Sequence, residues 1–155
     1  MRVRVIAVGT RMPPWVRSAC TEYLQRLRSG FPLELEEIDT ASRRAGGAPR
    51  ALAREGERLL AALEQRDYVI ALDERGRELT THELSRWLSV RMQQGEDLAF
   101  VIGGPDGLAP AVLARSNFTL ALSRLTLPHA LARVLLAEQL YRAHCILANH
   151  PYHRD

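Results

Sequence analysis

Five short strand patterns, each followed by a stretch whose apolar residues recur at helical spacing, restrict this 155-residue chain to few architectures. Arg2 to Val8 reads as the first strand, closed by Gly9. Pro13-Pro14 then opens a helix in which Trp15, Ala19, Cys20, Tyr23, Leu24 and Leu27 recur until Gly30 stops it. Leu33 to Ile38 is the second strand, and its charged alternate positions suit a sheet edge. A basic loop from Thr40 to Pro49 leads into a helix from Arg50 to about Gln65, with Leu52, Leu59, Leu60 and Leu63 on one stripe. Tyr68 to Leu72 is too uniformly apolar to be half-exposed and is expected in the sheet interior, with Asp73-Glu74-Arg75-Gly76 turning the chain after it. Thr80 and Glu83 form a capping-box pattern ahead of a helix that buries Leu84, Trp87 and Leu88. Leu98 to Ile102 is the fourth strand, Pro110 fits the first turn of a short helix, and Phe118 to Leu122 is the fifth strand. The last helix runs from Ala130 to about Ala148. Alternation of this kind predicts one α/β domain over residues 1–155, with a mostly parallel sheet of five or six strands and helices on both faces.

Composition fits that plan: 46% hydrophobic and 25% charged residues supply a core and a solvated surface. The chain enters its first strand directly from Met1-Arg2 without a signal-peptide pattern, and no apolar run is long enough to span a bilayer. A soluble cytoplasmic protein, not associated with membranes, is therefore expected. Cys20 and Cys145 both fall inside helix patterns, which suits reduced core thiols better than a disulfide. All 21 basic residues are arginine. Up to Asp106 they balance the acidic residues, so the net charge of +3 resides in the last third, where a modest positive surface suits an anionic partner such as RNA.

That same third carries the chemistry-bearing motifs. The strand ending Val101-Ile102 empties into Gly103-Gly104-Pro105-Asp106-Gly107, where residues without Cβ let a ligand approach the backbone. The fifth strand opens into Leu122-Ser123-Arg124-Leu125-Thr126-Leu127-Pro128-His129, so two loops can flank one cleft at strand ends. The chain closes on Asn149-His150-Pro151-Tyr152-His153-Arg154, which places a phenol, an imidazole and a guanidinium in sequence. Tyrosine can stack on a base, arginine can hold a phosphate, and histidine can exchange a proton near neutral pH. No metal is expected, because His144, Cys145, His150 and His153 match no compact zinc spacing. A P-loop signature and the GxGxxG turn of dinucleotide folds are both absent from the sequence.

The last helix is apolar around more of its circumference than one buried face needs: Leu131, Val134, Leu135, Leu136, Ala137, Leu140, Ala143, Ile146 and Leu147 exceed a single stripe. The surplus suits either deep burial or a second copy of the chain. Glu138 and Arg142 stand four apart on it, a spacing that ordinarily gives a helix-stabilising ion pair.

Gly103-Gly104-Pro105 with Gly107, then Leu122 to His129, then Asn149 to Arg154, taken in this order, resemble the small SPOUT-class methyltransferases that modify N3 of a pseudouridine in large-subunit (23S) ribosomal RNA. The resemblance covers essentially the whole chain. It implies an α/β fold with a deep C-terminal trefoil knot, a homodimer, and S-adenosylmethionine (S-adenosyl-L-methionine) bound in the knot. The family's cofactor-binding positions fall on Leu72, on Gly103, and on Leu122, Ser123, Arg124, Leu125, Thr126 and Leu127. The implied substrate is a pseudouridine in the stem-loop that faces the decoding centre, with the assembled ribosome as partner. A protonated N3 imide must lose its proton before or during methyl transfer, and His153 is the candidate base. Glu138 and Arg142 are candidate positioning groups, Arg154 a phosphate ligand and Tyr152 a stacking wall. The competing readings are a non-catalytic RNA-binding or ribosome-assembly module, which would not bind the methyl donor, and a SPOUT-like transfer-RNA methyltransferase.

Overall fold

The computed structural model describes every residue except Ala45, which lies inside the expected basic loop, so that part of the expectation falls outside the described residues. The strands are β1 (Val3–Val8), β2 (Leu33–Ile38), β3 (Tyr68–Glu78), β4 (Leu98–Ile102) and β5 (Phe118–Ala121). The helices are α1 (Pro14–Arg26), α2 (Gly47–Ala62), α3 (Thr81–Gln93), α4 (Pro110–Arg115) and α5 (His129–Leu147). One five-stranded sheet has the order β2-β1-β4-β3-β5, and every pairing is parallel. As its charged alternation predicts, β2 is an edge strand, and β3 lies inside the sheet between β4 and β5.

Alternation along the strands divides the core in two. Val3, Val5, Ala7, Ile70, Leu98, Phe100 and Ile102 face one side, where they pack with Leu84 and Leu88 of α3 and with Leu136, Leu140 and Tyr141 of α5. Ile6, Val8, Val69, Ala71, Ala99 and Val101 face the other, against Leu59 of α2 and Val112 of α4. Strands covered on both faces need an apolar run such as that of β4; β1 is buried throughout as well, its one charge, Arg4, being paired with Asp67 at 2.5 Å and Glu36 at 3.2 Å. Cys20 and Cys145 are buried free thiols. Among the described residues, no helix is long and apolar enough to cross a membrane.

Local chemistry fixes the element ends. Thr80 Oγ1 accepts the Glu83 amide at 3.1 Å, and Glu83 Oε1 accepts the Thr80 amide at 3.1 Å, so the capping box is complete. α2 begins at Gly47, earlier than the expected Arg50, because Pro49 sits within the first helical turn, where its missing N–H is harmless. It ends at Ala62, three residues before the expected Gln65: Leu63 is extended, and its amide bonds back to Leu60.

β3 also departs from expectation. The Asp73–Gly76 turn does not end the strand; Leu72 and Arg77 both stand opposite Leu120, so the intervening residues loop out and pairing with β5 resumes at Arg77 and Glu78. A Cβ on Gly76 would lie 2.7 Å from the Thr119 carbonyl oxygen, and only glycine lets the loop return so close to β5.

The topology places a crevice. α3 leaves β3 over one face while α4 leaves β4 over the other, as their separate core partners show. The chain therefore diverges between adjacent strands, and the space at their C-terminal ends is where open α/β sheets receive ligands.

Candidate functional site

A cleft of about 840 Å³ occupies that position. Three chain segments build it: the loop-out after Leu72, the loop from Gly103 to Leu108, and the loop from Leu122 to Pro128, with His129 and Ala132 of α5 beside them.

The Gly103–Gly107 segment is a tight turn. Gly107 donates its amide to Gly104 O at 3.1 Å across Pro105 and Asp106, with proline and glycine where a β-turn favours them. Gly107 has φ +77°, a conformation that favours glycine. A Cβ on Gly103 would fall 2.2 Å from Gly107 O, so the turn closes on itself at the place where side chains are missing.

Opposite, Ser123 Oγ accepts the Leu125 amide at 2.9 Å, which folds this loop locally and leaves the Leu125 side chain 75% exposed. Thr126 Oγ1 donates to Glu74 Oε2 at 2.7 Å and ties the loop after β5 to the β3 loop-out. Arg75 donates its amide to Asp73 Oδ1 at 2.8 Å and its guanidinium to Oδ2 at 3.1 Å. These bonds hold the Asp73 carboxyl below its ordinary range. His129 is lowered from the ordinary histidine value by burial and then by the nearby Arg133. Arg133, buried itself, pairs with Glu37 at 2.6 Å and donates to Gly9 O at 2.6 Å, fixing the start of α5 against the end of β1.

Of the expected cofactor positions, Leu72, Gly103, Leu122, Ser123, Leu125, Thr126 and Leu127 line the cleft. Arg124 is not among the lining residues; its side chain is 85% exposed and stands 3.8 Å from Glu78. Sequence reasoning missed Asp73, Glu74 and Asp106, which add carboxylates to the lining. The first two looked like turn residues because the continuation of β3 beyond them leaves no apolar signal. Apolar walls, bare backbone and carboxylates together suit a small amphipathic ligand that carries positive charge and hydrogen-bond donors.

The other candidates form a second cluster. Glu138 Oε1 accepts Arg142 at 2.6 Å and the Tyr152 hydroxyl at 3.0 Å. The Arg142 guanidinium lies 4.6 Å from the Tyr152 ring centroid and 3.3 Å from His153 Nδ1. Because a guanidinium only donates, Nδ1 accepts, which leaves the ring proton on Nε2, 2.8 Å from Asp155 Oδ1. Burial, then hydrogen bonding to Tyr23 and Glu138, pushes the Tyr152 phenol well above its ordinary value, so it stays protonated. Arg154 is exposed and makes no polar contact among the described residues. The tail thus packs over its own chain's last helix, and among the described residues none of its members lines the cleft. The sequence could not anticipate that His82, His153 and Asp155 would also gather, with Asp155 Oδ1 2.7 Å from His82 Nε2.

Comparison with known proteins places these features in context. A family model described as predicted SPOUT methyltransferase matches residues 1–153. Curated relatives called ribosomal RNA large subunit methyltransferase H, from Burkholderia mallei (strain SAVP1) and Burkholderia pseudomallei (strain K96243), are 48% identical over 155 residues, covering 99% of each chain. A probable methyltransferase from Bordetella pertussis Tohama I has a similar structure, with TM-score 0.58 and 20% identity over 92% of this chain and 95% of its own. A probable methylase family protein from Haemophilus influenzae Rd KW20 superposes with TM-score 0.57 and 15% identity, over 99% of this chain and 70% of its own.

Proposed function

The chain belongs to the SPOUT methyltransferase family, and from that premise we propose that it methylates N3 of a pseudouridine in large-subunit ribosomal RNA, acting in the cytoplasm on assembled ribosomes. The observation that carries this reading is the cleft at the ends of β3, β4 and β5, whose make-up fits S-adenosylmethionine. Apolar walls from Leu72, Ile102, Leu122 and Leu127 suit an adenine ring, and the Gly103–Gly107 turn offers backbone groups. Carboxylates of Asp73, Glu74 and Asp106 match a ligand bearing a sulfonium and an ammonium. Bound there, S-adenosylmethionine supplies an activated methyl group, so the chain's own task is alignment, exclusion of water and removal of one proton.

The last of these falls to the tail cluster. Arg142, held by Glu138, donates to His153 Nδ1, and Asp155 accepts the hydrogen bond from Nε2–H, so both ring nitrogens are engaged. His153 becomes a base when Arg142 gives way to the nucleobase at Nδ1, the ring nitrogen that holds the lone pair, while Asp155 keeps the Nε2–H in place. Tyr152, kept as a neutral phenol, serves as a wall or stacking face, and Arg154 is free to meet phosphate.

A homodimer reconciles the two clusters. Leu131, Leu135, Glu138, Arg142 and Ile146 fall within roughly 80° of arc on α5 at 3.6 residues per turn. Leu131, Leu135 and Ile146 are half-buried yet belong to neither core cluster. If this stripe meets its counterpart, the tail cluster sits at the subunit boundary, within reach of the partner's cleft. The knot that the family resemblance implies belongs to the same reading, since the loops after β3, β4 and β5 already converge on one cleft.

Incubation of ribosomes lacking the modification with the protein and methyl-labelled S-adenosylmethionine tests the function. Label is expected in one pseudouridine of large-subunit rRNA. Label in transfer RNA instead, or none in any RNA despite cofactor binding, would reject it.

A further inference from the structure

Glu55 is a carboxylate that stability alone does not require. Its side chain is 2% exposed, it rises from α2 beneath the Gly103–Gly107 turn, and a Cβ on Gly104 would lie 3.4 Å from its Oε1. Burying a carboxylate is costly unless it is paired and hydrogen-bonded, and an apolar residue of the same volume commonly does as well. Glu55 has both forms of compensation: Oε2 accepts the Ala41 amide at 3.0 Å and Arg43 Nη1 at 2.5 Å, while Oε1 accepts Arg43 Nη2 at 3.2 Å.

Arg43 faces two ways. Its fork covers Glu55, and its Nη2 and Nε also donate to Asp106 Oδ2, at 2.9 and 3.2 Å. Asp106 lies at the apex of the turn and lines the cleft. One of its oxygens is therefore held by a guanidinium anchored in the core, while Oδ1 has no protein partner among the described residues. Planar, two-sided contact of this sort fixes the orientation of a carboxylate as a point charge cannot.

We propose that Glu55 and Arg43 are positioning residues that hold the Asp106 carboxylate in the cleft so that Oδ1 accepts a hydrogen bond from the bound methyl donor. The inference rests on the cofactor reading given above. It assigns a role to the segment after β2, from which neither composition nor motif predicts a contribution to the site. Glu55 anchors, Arg43 transmits, and Asp106 is the group that touches the ligand.

Calorimetry with S-adenosylmethionine, together with steady-state methylation of ribosomes lacking the modification, tests the assignment in the full chain. Arg43→Gln and Asp106→Asn are each expected to weaken binding about tenfold, the scale of one charge-assisted hydrogen bond, with KM for the donor rising in parallel. The kcat at saturating donor should stay within about twofold, because the interaction serves binding and not the chemical step. The double variant should bind no more weakly than either single one, since both changes cut the same link. Arg43→Lys should recover part of the loss. Asp106→Asn guards against misfolding, because it leaves Arg43 on Glu55 and the buried charge compensated. Unchanged affinity in Asp106→Asn, or additive losses in the double variant, would overturn the clamp while the function stands. Failure of the wild-type chain to bind S-adenosylmethionine would reject the function and the clamp together.

Discussion

Gly103 and Gly107 meet backbone to backbone: a Cβ on Gly103 would lie 2.2 Å from Gly107 O. The glycine is thus demanded first by the turn itself, and the bare surface offered to a ligand follows from that closure. A side chain at Gly103, as in Gly103→Val, acts first by forcing the turn open, ahead of any direct block of the ligand.

Accordingly, even Gly103→Ala should reduce S-adenosylmethionine affinity more than about tenfold, since a misplaced loop withdraws several contacts together. The fold should survive, with the melting temperature falling by about 2–4 °C for each kcal/mol of strain in a chain of this size. Calorimetry and a thermal melt on one sample check both parts. Wild-type affinity would mean that the turn relaxes at no cost to the site.

The stripe of Leu131, Leu135 and Ile146 yields the second expectation. An arginine at Leu135 would bury an unpaired charge if two copies of α5 meet there, a cost of several kcal/mol, or roughly a hundredfold or more in dimer dissociation constant. Light scattering at micromolar concentration should read a dimer for the wild type and a monomer for Leu135→Arg. A monomeric wild type would remove the interface.

Much of this molecule is legible in its sequence, for identifiable reasons. Strands buried on both faces are mostly apolar, so β4 announces itself, as does β1 with Arg4 its single charge, and a charged alternation marks β2 as an edge. Thr80 and Glu83 reveal the start of α3 because a capping box is a local device. What escaped depends on distant partners. The far half of β3 is polar and pairs only because Gly76 lets it return against Thr119. Asp73, Glu74 and Asp106 acquire their place from the convergence of three loops, and nothing local marks Glu55, flanked by Arg54, Glu57 and Arg58, for burial. The tail's Tyr152 and His153 do meet Glu138 and Arg142, but no local signal in the sequence shows that this cluster packs away from the chain's own cleft.

Two imidazoles give the fold a pH dependence. His144 packs against Gly30 and edge-on to Phe31 with ring centroids 5.7 Å apart, and burial, then His150, lowers it from its ordinary 6.5. His129 is lowered likewise by burial and Arg133. In both cases the unfolded chain binds the proton more readily, so stability is fully present above about pH 6.5 and declines as pH falls from there towards the depressed folded values. Denaturant melts at pH 7.5 and 5.5 should show a lower midpoint at 5.5, and His144→Leu should lessen the difference. An unchanged pH dependence in His144→Leu would show that its ring titrates alike folded and unfolded.

The tail supports the most discriminating test, because cofactor affinity and chemistry are assigned to different clusters. A chain truncated after Pro151 loses Tyr152, His153, Arg154 and Asp155, none of which lines the cleft among the described residues. It should therefore bind S-adenosylmethionine within about twofold of wild type while its methylation of ribosomes falls by a factor of about a hundred or more, the scale of a lost general base. Loss of the Tyr152 contacts with Glu138 and Tyr141 should lower the melting temperature only modestly, since they lie at the edge of the core. The position of the cluster on the outward stripe of α5 then predicts complementation. Mixed with Gly103→Val, which keeps its tail but lacks a working turn, the truncated chain should regain activity, because one site of the mixed dimer combines an intact cleft with a tail from the other subunit. Equal turnover by truncated and full-length proteins would remove the tail from catalysis. Inactive mixtures in which subunit exchange has been verified would confine each tail to its own chain.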